Sequence, residues 1–79
     1  MIILHDVIIP KVGMGITEVE ISKWEVKAGD VINKGDPLVE INTEKASTVL
    51  DSDFSGEVAE ILFKPGDMVE VGSVICRIK

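Results

Sequence analysis

Val26-Lys27-Ala28-Gly29-Asp30-Val31-Ile32 recurs as Phe63-Lys64-Pro65-Gly66-Asp67-Met68-Val69, and Gly35-Asp36-Pro37-Leu38-Val39-Glu40-Ile41 recurs as Gly72-Ser73-Val74-Ile75-Cys76-Arg77-Ile78. The offset is constant, since 66 − 29 and 72 − 35 both equal 37. Upstream, Ile21, Trp24 and Val26 map onto Val58, Ile61 and Phe63, so strict alternation breaks at the same place in both halves, and a bend or bulge is predicted there. Repeat arrays need three or more stacked units to bury a continuous core. Two copies in 79 residues instead predict two halves facing each other about a pseudo-twofold axis, with a hairpin near the join.

Between the copies lies Ile41-Asn42-Thr43-Glu44-Lys45-Ala46-Ser47-Thr48-Val49, a polar stretch flanked by apolar β-type runs. Asn, Thr, Glu, Ala and Ser are poor in strand cores and good in turns, so the Lys45 ammonium is expected at a hairpin tip, clear of the surface. Most exposed lysines merely keep a turn soluble. Its place at the join of a duplicated chain sets Lys45 apart from the other six.

Apolar residues make up 46% of the chain but only three residues are aromatic, Trp24, Phe54 and Phe63, so the core must be mostly Val and Ile, and the class all-β. Strands are expected at Val7 to Pro10, Val19 to Val26, Val31-Ile32, Pro37 to Asn42, Ser47 to Leu50, Gly56 to Phe63, Met68-Val69 and Val74 to Ile78. Gly29 and Gly66, in the repeated Lys-x-Gly-Asp turn, are expected at positive φ. Facing two small sheets hides one side of each, which gives a flattened β-barrel or sandwich. Residues 1–79 read as one domain, which buries somewhat more than about 60% of its unfolded surface.

The net charge of −6 and the lack of any Lys/Arg cluster argue against nucleic acid or an anionic membrane as partner. Proteins are the expected partners. The apolar start Met1-Ile2-Ile3-Leu4 lacks a basic n-region and a long h-region, and no run approaches the roughly 18 residues of a membrane span, so a soluble intracellular chain is expected. Cys76 is the only cysteine and aligns with Val39, so it is expected as a buried thiol. His5 is the only histidine, which excludes a histidine-rich metal cluster; it is read as a surface residue. Gly13-Met14-Gly15-Ile16-Thr17-Glu18 begins like a dinucleotide fingerprint, but Glu18 replaces the third glycine and no helix pattern follows. The carboxylates Asp30, Asp36 and Asp67 sit in turns, where Asp caps backbone N–H groups, and none is read as catalytic.

Taken together, Ile9-Pro10-Lys11-Val12-Gly13-Met14-Gly15-Ile16-Thr17-Glu18, Lys23-Trp24, Val26-Lys27-Ala28-Gly29-Asp30, Gly35-Asp36-Pro37-Leu38-Val39-Glu40, Thr43-Glu44-Lys45-Ala46, Gly56 and Pro65-Gly66-Asp67 resemble a lipoyl domain of a 2-oxo acid dehydrogenase complex acyltransferase, within the biotinyl/lipoyl carrier family. The resemblance covers essentially the whole chain. It departs from the family at Glu44, usually Asp, and at Ser47, usually Thr or Val. It implies two four-stranded antiparallel sheets with the lysine hairpin at the opposite end from the termini. It also implies lipoate in amide linkage on Lys45, and partner recognition by Glu44, Ala46 and the loop Gly13, Met14, Gly15, Ile16 and Thr17 beside it. The implied partners are a lipoate ligase or lipoyl transferase, a thiamine-dependent 2-oxo acid decarboxylase, the acyltransferase catalytic domain and dihydrolipoamide dehydrogenase. On this reading the chain is a non-catalytic, monomeric carrier, in a prokaryotic cytoplasm or a mitochondrial matrix. Ending at Lys79, straight after the last strand, it is expected to be an excised domain, because a carrier needs a tether.

Three alternatives stay open. A biotin carboxyl carrier shares the hairpin but usually flanks its lysine with methionines, where this chain has Glu44 and Ala46. The glycine-cleavage carrier is longer and carries extra helical structure. An unmodified lipoyl-like adaptor would use the surface alone.

Overall fold

The computed structural model describes residues 3–79 and contains eight strands, with no helix among the described residues. Met1 and Ile2 of the apolar start lie outside the described residues. The strands are β1 (His5–Ile8), β2 (Glu18–Trp24), β3 (Val31–Ile32), β4 (Pro37–Asn42), β5 (Ser47–Asp51), β6 (Gly56–Ile61), β7 (Met68–Glu70) and β8 (Val74–Ile78). They form two antiparallel sheets, ordered β1-β8-β6-β3 and β5-β4-β2-β7. Of the two expected forms, the sandwich is the one observed, 39 × 20 × 20 Å.

The duplication explains this order. A shift of 37 residues carries β2, β3 and β4 onto β6, β7 and β8, so one sheet order maps onto the other, with β1 matching β5. Each half lends a short strand to the other half's sheet: β3 pairs with β6, and β7 pairs with β2. The halves therefore interlock. Register breaks fall between Ile21 and Lys23 on β2 and between Val58 and Glu60 on β6, at the two predicted positions.

Symmetry extends into the core, where Ile21, Ile32, Leu38, Val39 and Ile41 match Val58, Val69, Ile75, Cys76 and Ile78, all at most 3% exposed. Ile9 and Val19 complete it. Trp24, Phe54 and Phe63 pack around its margin, and Trp24 Nε1 donates to the Phe63 carbonyl (2.9 Å), tying the chain after β6 to the other sheet. Cys76 is fully buried, and burial pushes its thiol up to about 11, so it is inert as a nucleophile near neutral pH.

Several strand ends differ from the sequence expectation, those of β1, β2 and β6 the most. The first strand begins at His5, because His5 and Asp6 pair with Ile78 and Arg77, and stops before Pro10, which has no N–H to pair. β2 and β6 stop at Trp24 and Ile61. Glu25 and Leu62 still donate to Leu38 and Ile75, but Val26 and Phe63 already enter the turns. His5 is half-buried and stacks on Phe54 with ring centroids 4.4 Å apart, so it belongs to the structure of that end of the sandwich.

The matched turns behave alike. Gly29 (φ 96°) and Gly66 (φ 95°) donate to the Val58 and Ile21 carbonyls, while Asp30 and Asp67 carboxylates accept from the Lys27 and Lys64 N–H groups (3.0 and 2.9 Å). Nothing lies within 4 Å of a Cβ added at either glycine, so the cost of alanine there is backbone strain alone. Gly29→Ala and Gly66→Ala should each destabilise by about 1 kcal/mol. Denaturant midpoints that stay level or rise in both variants would contradict this.

Candidate functional site

Asn42 and Ser47 form the last pair of β4 and β5, and the four residues Thr43 to Ala46 close the hairpin. Thr43 supplies most of the closure. Its N–H donates to the Ala46 carbonyl (2.9 Å), and its hydroxyl accepts from the Lys45 and Ala46 N–H groups (3.3 and 3.2 Å). A threonine hydroxyl bonding two and three residues ahead fixes a turn without any positive φ, and among the described residues only glycines take one. At the base, Ser47 Oγ donates to Asn42 Oδ1 (2.6 Å). The turn is self-contained.

That property separates Lys45 from the other turn lysines. Lys27 and Lys64 are exposed too, but their turns are bonded to the facing strands through Gly29 and Gly66. Every hydrogen bond of the Thr43 to Ala46 turn stays within the turn, so no hydrogen bond ties the exposed Lys45 to the facing strands. It enters none of the ion pairs formed among the described residues, and its ammonium is free to be presented.

A cleft beside the hairpin is lined by Met14, Gly15, Ile16, Thr17 and Glu18 on one wall and Thr43, Glu44 and Lys45 on the other. The expected loop therefore does adjoin the lysine. Met14 is 97% exposed, whereas Ile16 folds back against the core and its N–H donates to the Gly13 carbonyl (3.3 Å). Gly13 does not line the cleft; a Cβ there would press on the Ile16 side chain, so this glycine shapes the loop. Ala46 does not line it either, and serves to close the turn.

Glu18, Glu20, Asn42 and Met68 are not among the site residues that the sequence offers. With Thr43 and Glu44 they line a second cleft at the hairpin. Their nearness arises from the β2–β4 and β2–β7 pairings, which set Glu20 beside both Asn42 and Met68. Local sequence carries no sign of it. Among the described residues no group of three or more His, Cys, Asp or Glu side chains could hold a metal ion.

A rigid β-sandwich that holds one lysine out on a self-bonded hairpin, beside an exposed loop, is the layout of a carrier for a covalently attached group. Residues 5–78 match the biotin/lipoyl family model, described as "Biotin-requiring enzyme". The chain belongs to this family. It is 37% identical over 76 residues to the lipoamide acyltransferase component of the branched-chain alpha-keto acid dehydrogenase complex of Bacillus subtilis, covering 96% of this chain and 18% of that protein. It is 41% identical over 75 residues to the mitochondrial component of that description from Arabidopsis thaliana (95% and 16%). To the dihydrolipoyllysine-residue acetyltransferase component of the pyruvate dehydrogenase complex of Corynebacterium glutamicum it is 40% identical over 73 residues (92% and 11%). The chain thus spans less than a fifth of these relatives. The fold is similar to the solution structure of the lipoyl domain of the 2-oxoglutarate dehydrogenase complex from Azotobacter vinelandii, with a TM-score of 0.77, 24% identity and 94% coverage of both chains.

Proposed function

We propose that residues 1–79 act as a lipoyl carrier domain, with lipoate amide-linked to Lys45. The observation that carries this reading is the exposed lysine on a turn bonded only to itself, beside the Met14 to Glu18 loop. The fit is chemical as well as geometric. A lysine needs an unpaired, reachable amine to be acylated, and the amide nitrogen needs no support from the protein afterwards. A lipoate ligase or lipoyl transferase presents the activated acyl group; the amine attacks its carbonyl, the activating group leaves with the bonding pair, and the nitrogen loses a proton.

When attached, lipoate supplies a dithiolane that takes up acyl groups and electrons. The chain supplies presentation, reach and recognition. Its partners on this reading are a thiamine-dependent 2-oxo acid decarboxylase, the acyltransferase catalytic domain and dihydrolipoamide dehydrogenase, in a prokaryotic cytoplasm or a mitochondrial matrix. Tethering raises the local concentration of the arm to the order of millimolar for a suitable linker. The isolated domain is monomeric. Lipoate is favoured over biotin by Glu44 and Ala46, where biotin carriers usually have methionines, and by the relatives described as lipoamide acyltransferase components.

Incubation with lipoate, ATP and a lipoate ligase should add one lipoyl group, which peptide mass mapping should find on Lys45. Addition at another lysine, or biotinylation by a biotin ligase with no lipoylation, would overturn the reading. A second test concerns the loop. Exchanging residues 13–17 for those of a lipoyl domain serving a different 2-oxo acid should leave lipoylation intact. Reductive acylation by the native decarboxylase should fall by several-fold or more, since about 1.4 kcal/mol of lost recognition is a factor of ten. Equal reductive acylation of both domains would place recognition elsewhere on the surface.

A further inference from the structure

We propose that the free edge of β5 is the surface on which the lipoate-attaching enzyme grips this domain, by adding one of its own strands antiparallel to Ser47–Leu50. This rests on the carrier reading above. The two sheets have pseudo-equivalent outer strands, β1 and β5, and only one of them is guarded. On β1, Asp6 puts a charge on the outer strand, where it accepts from Arg77 Nε on the neighbouring β8 (2.9 Å); the ladder slips between Val7 and Ile8 as well. Charge and irregularity of this kind discourage pairing by another strand. β5 has neither over its first four residues. Ser47, Thr48 and Val49 are exposed and uncharged, and the register break of the β4–β5 pair lies at its far end, between Pro37 and Val39.

The backbone there is presented in the right phase. The Thr43–Ala46 bond opens the ladder, so Thr48 and Leu50 spend their N–H and C=O groups on Ile41 and Val39, while Ser47 and Val49 turn theirs outward. Ser47 stands two residues from Lys45. A partner that acts on the end of a long arm can stay at a distance, but the attaching enzyme must bring the Lys45 amine itself into its active site. Contact with the first residues of β5 then comes with no further motion. Main-chain pairing also reads few side chains, which suits an enzyme that modifies carriers of differing sequence.

The test is amide hydrogen exchange on the unlipoylated domain, alone and with a lipoate ligase holding a non-hydrolysable lipoyl-adenylate analogue. The Ser47 and Val49 amides should exchange quickly in the free domain and slow at least tenfold in the complex, whereas Thr48 and Leu50, already bonded to β4, should change little. Val49→Pro removes only an outward N–H. It should lower kcat/KM for lipoylation at least tenfold while near-native thermal unfolding is retained. Unchanged exchange at Ser47 and Val49 in the complex overturns the proposal even if Val49→Pro fails to fold. Protection that rises with domain concentration in the absence of ligase assigns the edge to a second copy of the chain and also overturns it. A wild-type domain left unmodified in the same reaction refutes the carrier reading instead.

Discussion

Replacing Lys45 by arginine is expected to abolish lipoylation completely and leave the fold intact. The substitution keeps the charge and the length of the side chain, and the Lys45 N–H that donates to Thr43 Oγ1 belongs to the backbone, so the hairpin retains its bonds. No ion pair is lost, because Lys45 enters none of those formed among the described residues. The guanidinium, however, stays protonated and delocalised, and it cannot serve as the attacking amine. Stability should change by no more than about 0.5 kcal/mol, as for exposed substitutions away from special features. Intact mass and a denaturation midpoint read the two outcomes together. Lipoate appearing on Lys27 or Lys64 in the variant would show that exposure on a turn suffices, and that the self-contained hairpin does not select the residue.

The turns and the bulges were legible because each is written locally. Lys-x-Gly-Asp specifies a positive-φ glycine and a capping carboxylate in four residues, and the loss of alternation after Ile21 and Val58 marks where each ladder slips. Lys45 was legible for the same reason, as a polar turn between two apolar runs. The exchange of β3 and β7 between sheets was not. Two- and three-residue strands carry no pattern of their own, and their partners lie more than twenty residues away. The start of β1 was hidden by His5 and Asp6, poor strand formers held by pairing with Ile78 and Arg77. The second cleft was hidden likewise, since Glu20 and Met68 meet only through that strand exchange.

Symmetry also misleads at one position, and there the second large effect is expected. The 37-residue shift carries Val19, a core residue, onto Gly56, so the repeat alone would allow a β-branched side chain at both. The environments differ. Val19 pairs with Val69 and turns its side chain into the core, whereas Gly56 pairs with Ile32 at φ 152° with the last residue of the chain lying over its α-carbon. A Cβ at Gly56 would overlap the Lys79 carbonyl oxygen and come within 3.2 Å of Ile78 Cγ2. Neither neighbour moves easily, because Lys79 N–H is bonded to the Glu57 carbonyl (2.8 Å) and Ile78 is fully buried. Gly56→Ala therefore combines backbone strain of about 1 kcal/mol with overpacking of about 1–3 kcal/mol, for a total loss of about 2–4 kcal/mol. In a domain this small that lowers the melting temperature by on the order of 10–25 °C. Gly66→Ala, with open space around its α-carbon, is the matched control and should lose much less. Thermal melts of the two variants decide the matter: equal losses would mean that the Lys79 end yields at no cost, and that Gly56 is a turn glycine like the others.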